Sequence, residues 1–215
     1  MKAIIIGATG LVGNHILLRL LDREEIEQVL IFVRRSSGIL HPKLVERVVD
    51  FERIDNWQVD IRGDVLFSAL GTTLKAAGSK AAQYRVDYEY QLQVAQAAEK
   101  NGVTRYVLIS SVNADAKSAF FYLKMKGELE EAVRVLNFKS ISILRPGPLK
   151  GLRNKNRLSE VISVKLLELM PRILVKSSMR PVSAEKVAIK SIICGLSSSS
   201  GLQFIGPEVI FRGNC

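Results

Sequence analysis

The stretch from Ile4 to Gly13 constrains the fold more than any other part of the chain. Ile4, Ile5 and Ile6 form an apolar run of strand length that enters three glycines at every third position, Gly7, Gly10 and Gly13. Asn14, His15, Ile16, Leu17, Leu18, Leu20 and Leu21 then follow at helical periodicity. The pattern predicts strand, tight turn, helix. In such a turn the first glycine reverses the chain, the second admits a phosphate to the backbone, and the third lets the helix pack on its strand. The exposed N–H groups and the positive end of the helix dipole favour an anion there. The spacing is G-x-x-G-x-x-G and no Lys-Ser/Thr pair follows Gly13, which disfavours a nucleoside-triphosphate P-loop. A helix-start turn that binds nothing is the competing reading, and the rest of the chain has to decide between them.

A chain of 215 residues, 47% hydrophobic and 24% charged, has the length and core of one α/β domain. No charged leader precedes the strand at Lys2 and no apolar run reaches membrane-spanning length, so the expectation is a cytoplasmic protein without a membrane span. Cys194 with Cys215 and His15 with His41 make no metal-ligand spacing, and no metal site is expected. The net charge of +10 suits nucleic acid, an anionic surface or an anionic cofactor. The basic residues gather at Arg34 and Arg35 and at Lys150, Arg153, Lys155 and Arg157, without interleaved aromatics or a nucleic-acid module, so no nucleic-acid partner is expected.

Val29 to Val33 read as a second buried strand, ending in Arg34 and Arg35. An NAD-selecting unit commonly has Asp or Glu at this place to accept from the ribose 2′-hydroxyl. Arginine cannot accept a hydrogen bond but can clamp a phosphate through two donors. NADP(H) is therefore favoured over NAD(H). Val45, Val48 and Val49 suggest a third strand closing in Asp50 and Phe51, from which an acidic side chain can reach an adenine amino group. Trp57 to Gly63 read as a connection and Val65 to Leu70 as a fourth strand. Gly71, Thr72 and Thr73 then stand at the carboxyl edge of the sheet, where an open α/β fold gathers its ligand. Lys75 to Lys80 read as a mobile basic loop. Ala81 to Lys100 read as a helix with Val86, Tyr90, Val94, Ala97 and Ala98 on its apolar face, stopped by Asn101 and Gly102.

Tyr106 to Ile109 give a fifth strand ending in Ser110 and Ser111. Phe120, Phe121, Leu123, Leu129, Val133 and Leu136 mark a further amphipathic helix, and on it Tyr122 and Lys126 stand four apart. Such a pair shares one helix face, about 6 Å between Cβ atoms. An ammonium beside a phenol lowers its pKa from about 10, which would let Tyr122 exchange a proton nearer neutrality.

With a Gly-rich turn, a serine after the fifth strand and a Tyr-x-x-x-Lys pair, the chain resembles an atypical short-chain dehydrogenase/reductase. It is similar in particular to the small oxidoreductase branch related to the human Tat-interacting oxidoreductase. The resemblance covers roughly residues 1 to 150, through Leu70-Gly71-Thr72-Thr73, Val86-Asp87-Tyr88 and Leu144-Arg145-Pro146-Gly147, with a weaker echo at Arg180 to Ser183. It implies that Ser111 orients a substrate carbonyl, that Tyr122 donates the proton, and that Lys126 holds the nicotinamide ribose. Ser110 is the alternative to Ser111. Gly7, Thr9, Gly10, Leu11 and Val12 would wrap the pyrophosphate, Arg34 and Arg35 the 2′-phosphate, with Leu70 beside Gly71 and with Pro146 and Gly147 near the nicotinamide. Where many relatives with extended chains have an asparagine on the fourth helix that completes a proton relay, this chain has Asp87.

The expected architecture is a single Rossmann domain over residues 1–215, with a mostly parallel sheet in the order 3-2-1-4-5-6, room for a seventh strand, and helices on both faces. Residues 150–182 would be a substrate-side insertion, including an apolar helix around Leu158 to Met170 stopped by Pro171. Ser183 would cap a helix through Ile193, and Leu202 to Ile205 would form a last strand. The expected function is NADPH-dependent reduction of a carbonyl or similar small organic substrate by a monomer or homodimer. The alternative is a non-catalytic NADP(H) sensor that acts through a protein partner.

Overall fold

The computed structural model describes residues 1–150 and 181–212. In chain order the strands are β1 (Lys2–Ile6), β2 (Gln28–Val33), β3 (Leu44–Val48), β4 (Val65–Ser68), β5 (Arg105–Ile109), β6 (Ser140–Leu144), β7 (Leu149–Lys150), β8 (Val182–Ser183) and β9 (Gly201–Ile205). The helices are α1 (Leu11–Leu21), α2 (Leu74–Ala77), α3 (Lys80–Tyr84), α4 (Tyr90–Lys100), α5 (Phe121–Val133), α6 (Ala184–Leu196) and α7 (Pro207–Arg212). A seven-stranded sheet runs β3-β2-β1-β4-β5-β6-β9, and every pairing in it is parallel. This is the Rossmann-type doubly wound arrangement the sequence predicts, with β9 as the seventh strand.

Parallel strands covered on both faces read as continuous apolar runs, and β1 shows why. Ala3 and Ile5 pack with Ile16, Leu17 and Leu20 of α1 and Val187, Ala188 and Ile192 of α6. Ile4 and Ile6 face the other way, toward Val94 and Ala98 of α4 and Leu129 and Val133 of α5. The sheet direction of the connections reverses between β2 and β4, on either side of β1, and the loops that leave β1 and β4 meet there. A Cβ on Gly7 would lie 2.4 Å from the carbonyl carbon of Ala69. That meeting point is the crevice where open α/β sheets take their ligands.

Several local expectations are corrected. Trp57 lies in the connection between β3 and β4, as expected, but is itself buried and stacks on Phe32 at 4.8 Å between ring centroids. Lys75 to Lys80 do not form a bare loop. Thr73 Oγ1 caps α2, Gly78 ends it in the left-handed region at φ 84°, and Ser79 caps α3. Phe120 precedes α5 and is exposed, so the apolar face of that helix starts later. Ser183 does cap α6, accepting from the Lys186 amide. The apolar helix around Leu158 to Met170 lies outside the described residues, as does all but the two ends of the 150–182 segment. Those ends are brought side by side, with Leu149 in register with Val182 and Lys150 with Ser183.

Candidate functional site

The three glycines differ in what the chain itself requires of them. Gly7 has φ +81° and no room for a side chain, and a Cβ on Gly13 would lie 2.1 Å from the Gly7 carbonyl oxygen. Both are demanded by internal packing. Gly10 has an ordinary φ of −82°, and a Cβ there would meet only the Gly7 oxygen at 3.1 Å and the Ala69 oxygen at 3.9 Å. Gly10 also begins α1 without a side-chain cap, so the first-turn amides of Leu11 and Val12 are left for an anion. The side chain of Val12 itself is buried, and its backbone is the part a ligand can use.

This turn forms one wall of a cleft of about 770 Å³. Gly7, Thr9 and Gly10 line it from the first loop, and Ala69, Leu70, Gly71 and Thr72 from the loop after β4. Arg34, Asp50 and Phe51 line the far side. Arg34 is exposed, with no ion pair to another described residue; Arg35 is exposed beside it but is not part of the lining. Asp50 serves partly as a cap, its Oδ1 accepting from the Glu52 amide at 3.0 Å. Sequence reasoning missed three further residues of this wall, Glu52, Arg85 and Tyr90. Arg85 Nη1 donates to Glu52 Oε1 at 3.2 Å, and the Tyr90 hydroxyl donates to the same oxygen. The Tyr90 bond holds the Glu52 carboxyl below its ordinary range, while burial and Glu52 push Tyr90 up to about 12.

The residues expected to carry the chemistry lie outside this lining. Lys126 is buried on α5, and its Nζ is 3.0 Å from Asp87 Oδ1. The other oxygen of Asp87 accepts from the Thr72 amide at 2.7 Å, and Asp87 lies so close to Gly71 that a Cβ there would stand 3.2 Å from Oδ1. Asp87 thus ties Lys126 to the edge of the cleft. Burial lowers the Lys126 pKa, but the charge of Asp87, with Tyr122 and Glu130, outweighs it and the net direction is up. The ring of Tyr122 has its centroid 6.0 Å from Lys126 Nζ and remains partly exposed.

Asp87 gets there through a π-turn over Arg85–Glu89 inserted between α3 and α4. Such turns are frequent at functional sites. The buried positions around it are polar: Gln91 Nε2 donates to the Asp87 carbonyl at 2.8 Å, Ser68 Oγ to Gln91 Oε1 at 2.7 Å, and Gln83 Nε2 to the Thr72 carbonyl at 3.3 Å. Of the predicted apolar face, Val94, Ala97 and Ala98 are buried as expected, and its first part is corrected. Gln83, Asp87 and Gln91 are buried, whereas Val86 and Tyr90 turn toward the cleft.

The serines separate by their surroundings. Ser110 is buried and its hydroxyl donates to Glu130, whereas Ser111 is half-buried and its hydroxyl meets only the Val112 carbonyl, at 3.3 Å. Pro146 and Gly147 are buried next to it, the Pro146 carbonyl accepting from the Val112 amide at 2.9 Å. Neither these residues nor Ser111, Tyr122 and Lys126 belong to the lining of the 770 Å³ cleft, and Thr73 is the cap of α2. Among the described residues no cluster of three metal-ligating side chains occurs, and no helix is long and apolar enough to cross a membrane.

A cleft at the crossover of a parallel sheet, faced by an uncapped helix, defines a Rossmann-type doubly wound protein. Within that class the chain belongs to the HIM1 family, whose model matches residues 58–179. Protein FMP52 of Saccharomyces cerevisiae is 41% identical over 165 residues, covering 74% of this chain and 70% of that protein. Protein FMP52 of Meyerozyma guilliermondii is 35% identical over 98% of this chain and 90% of its own length. The fold is similar to that of the UDP-glucose 4-epimerase of Thermus thermophilus, solved in complex with NAD. The TM-score is 0.69 at 16% identity, over 99% of this chain and 82% of the epimerase.

The relatives overturn the cytoplasmic expectation, because the FMP52 proteins are named as mitochondrial. That expectation was read from the start of the sequence. Receptor-read addresses take other forms than an N-terminal leader, so this feature does not decide the compartment.

Proposed function

We propose that this protein is an NADPH-dependent oxidoreductase of the short-chain dehydrogenase/reductase type, reducing a carbonyl or similar small organic substrate. The observation that carries the reading is the position of Lys126, buried 3.0 Å from Asp87 and joined through it to the Thr72 amide at the edge of the cleft. A Tyr-x-x-x-Lys spacing with no such tie would be an ordinary helix face. In this reading residues 1–215 form one dinucleotide-binding domain, with 150–182 on the substrate side, functionally akin to the small oxidoreductases of the Tat-interacting branch.

The residues present fit a pyridine dinucleotide. Gly10 leaves open the space that packing does not claim, the first-turn amides of α1 face an anion, and Arg34 supplies two donors where a 2′-phosphate would sit. The epimerase neighbour, itself complexed with NAD, supports the same class of ligand. When bound, the nicotinamide supplies a hydride. Ser111 then orients the substrate oxygen by hydrogen bonding, and Tyr122 holds the proton that this oxygen takes up. Lys126 remains charged, which favours the phenolate left behind. Asp87 holds that ammonium in place at the edge of the cleft.

The test is calorimetry with NADPH and NADH, followed by consumption of NADPH with a panel of aldehydes, ketones and quinones. Tyr122→Phe should keep NADPH binding and lower turnover by about 10²–10⁴-fold. Turnover that survives the change removes Tyr122 as donor, and a wild-type protein that binds neither coenzyme removes the whole reading.

A further inference from the structure

Behind the site lies a second charge pair, a buried Glu130 with a half-buried Arg145, that the proposed chemistry does not use. Glu130 is 4% exposed and is held by Arg145 in a two-pronged contact, with Nε 3.1 Å from each carboxylate oxygen and Nη2 bound to Oε2. The Ser110 hydroxyl donates to Oε1 of the same carboxylate. The outer face of the Arg145 guanidinium is covered by the Phe204 ring of β9, 4.6 Å from its centroid. Three elements meet at this carboxylate: the end of β5 through Ser110, α5 through Glu130, and the end of β6 through Arg145.

Each member is next to a residue that the dinucleotide reading assigns to the reacting end. Ser110 precedes Ser111, Arg145 precedes Pro146 and Gly147, and Glu130 stands four residues beyond Lys126 on the same helix. Backbone bonds run alongside, from the Ser110 amide to the Leu144 carbonyl at 2.8 Å and from the Val112 amide to the Pro146 carbonyl at 2.9 Å. A carboxylate buried in this way is weak evidence for stability as such, since apolar replacements of buried ion pairs are often neutral or stabilising. What a forked guanidinium–carboxylate contact adds is a fixed angle as well as a fixed distance.

We infer that Glu130, with Arg145 and Ser110, is a positioning device that registers the ends of β5 and β6 against α5. It thereby sets where Ser111, Lys126 and the Pro146-Gly147 turn meet the nicotinamide half of a bound dinucleotide, and leaves the adenosine half untouched. This inference rests on the dinucleotide reading proposed above. None of the three touches the reacting atoms; they act through their neighbours.

The experiment uses two probes on the full chain. Adenosine 2′,5′-bisphosphate, followed by calorimetry, reports the adenosine end alone. NADPH, followed by the emission of its reduced ring, reports the ordering of the other end, and phenanthrenequinone serves as the acceptor for turnover. In Glu130→Gln and Ser110→Ala the bisphosphate affinity should stay within about twofold of wild type. The emission gain of bound NADPH should fall by at least about half, and kcat by about tenfold, with KM for NADPH little changed. Should Glu130→Gln fail to fold, Ser110→Ala, which removes one hydroxyl, carries the test. Equal weakening of both probes, or variants that match wild type on both, overturns the inference while the dinucleotide reading stands. A wild-type protein that binds neither probe overturns that reading, and the inference with it.

Discussion

Arg34 stands exposed at the end of β2 without an ion pair to any other described residue, while Lys126 is buried 3.0 Å from Asp87. In the proposed reading the two cations mark opposite ends of one site. At the Arg34 end the donors are unspent: the guanidinium, the first-turn amides of α1 and the space over Gly10 all await a partner from outside. At the Lys126 end every charge is already matched from inside, Lys126 by Asp87 and Glu130 by Arg145. An open end can trade water for a ligand and so supply affinity. A closed end holds groups at fixed positions at no cost during reaction, which is what chemistry requires.

The strongest break of this division lies within the Gly-rich turn. Gly7→Ala puts a Cβ 2.4 Å from the Ala69 carbonyl on a positive-φ backbone, and Gly13→Ala puts one 2.1 Å from the Gly7 oxygen. Each should destabilise the fold by roughly 3 kcal/mol or more, visible as an early urea midpoint. Gly10→Ala asks only that the Gly7 oxygen, at 3.1 Å, give by a few tenths of an ångström. It should fold close to normally and lose dinucleotide binding. If Gly10→Ala binds as wild type does, the open end has been misplaced.

At the closed end, Asp87→Asn leaves a buried ammonium without its counter-charge. The expected cost is about 3–5 kcal/mol, read by chemical denaturation. The pH dependence gives the sign. In the wild type the folded-state Lys126 pKa is raised, so its contribution is fully present below the unfolded value of about 10.4 and is lost as pH rises through the folded value. Wild-type stability should therefore show no Lys126-linked change between about pH 7 and pH 10. In Asp87→Asn both contributions of Asp87 are lost and only Tyr122 and Glu130 oppose burial, so the folded state should bind the proton less readily than the unfolded chain and stability should rise with pH over the same interval. A flat profile for the variant would mean that Asp87 does not hold Lys126.

The open end was largely legible in the sequence because its signals are local. Three spaced glycines, a strand ending in Arg34, and small residues after β4 each lie within a few positions of one another. The closed end was legible only in part. Tyr122 and Lys126 are legible from their spacing and Asp87 from the resemblance, but the contact of Asp87 with Lys126 was hidden by the rule that located the helix. Apolar periodicity put Val86 and Tyr90 inside, whereas Gln83, Asp87 and Gln91 are buried because they satisfy one another and the Thr72 backbone. Hydropathy cannot register a polar residue whose partners come from elsewhere, nor the π-turn that widens the helix at Arg85–Glu89. Glu130 was missed for the same reason, since its partners Ser110 and Arg145 lie 20 and 15 residues away in sequence.

The arginine pair sharpens the open end further. Arg34 lines the cleft and Arg35 does not. Arg34→Ser should weaken NADPH binding by about tenfold, the lower end expected for an exposed charge-assisted contact, and leave NADH binding nearly unchanged. Arg35→Ser should do less to both. The comparison is made by calorimetry at fixed, low salt. Equal losses for the two coenzymes would assign Arg34 to the adenine face, where it reads no phosphate.

The smallest effect separates two jobs within one side chain. Asp50 lines the cleft, and its Oδ1 also accepts from the Glu52 amide at 3.0 Å, capping the short helix that starts at Phe51. Asparagine caps as well as aspartate, so Asp50→Asn should keep stability, whereas Asp50→Ala should lose about 1 kcal/mol. For adenine the order changes. An adenine amino group needs an acceptor, and the amide offers one oxygen where the carboxylate offers two, one of which the cap already holds. Asp50→Asn should therefore weaken adenosine 2′,5′-bisphosphate by a few-fold, about 0.5–1 kcal/mol, with unaltered unfolding. If alanine lowers stability and neither variant changes affinity, Asp50 belongs to the fold and the adenine must be read by the Phe51, Arg85 and Tyr90 wall alone.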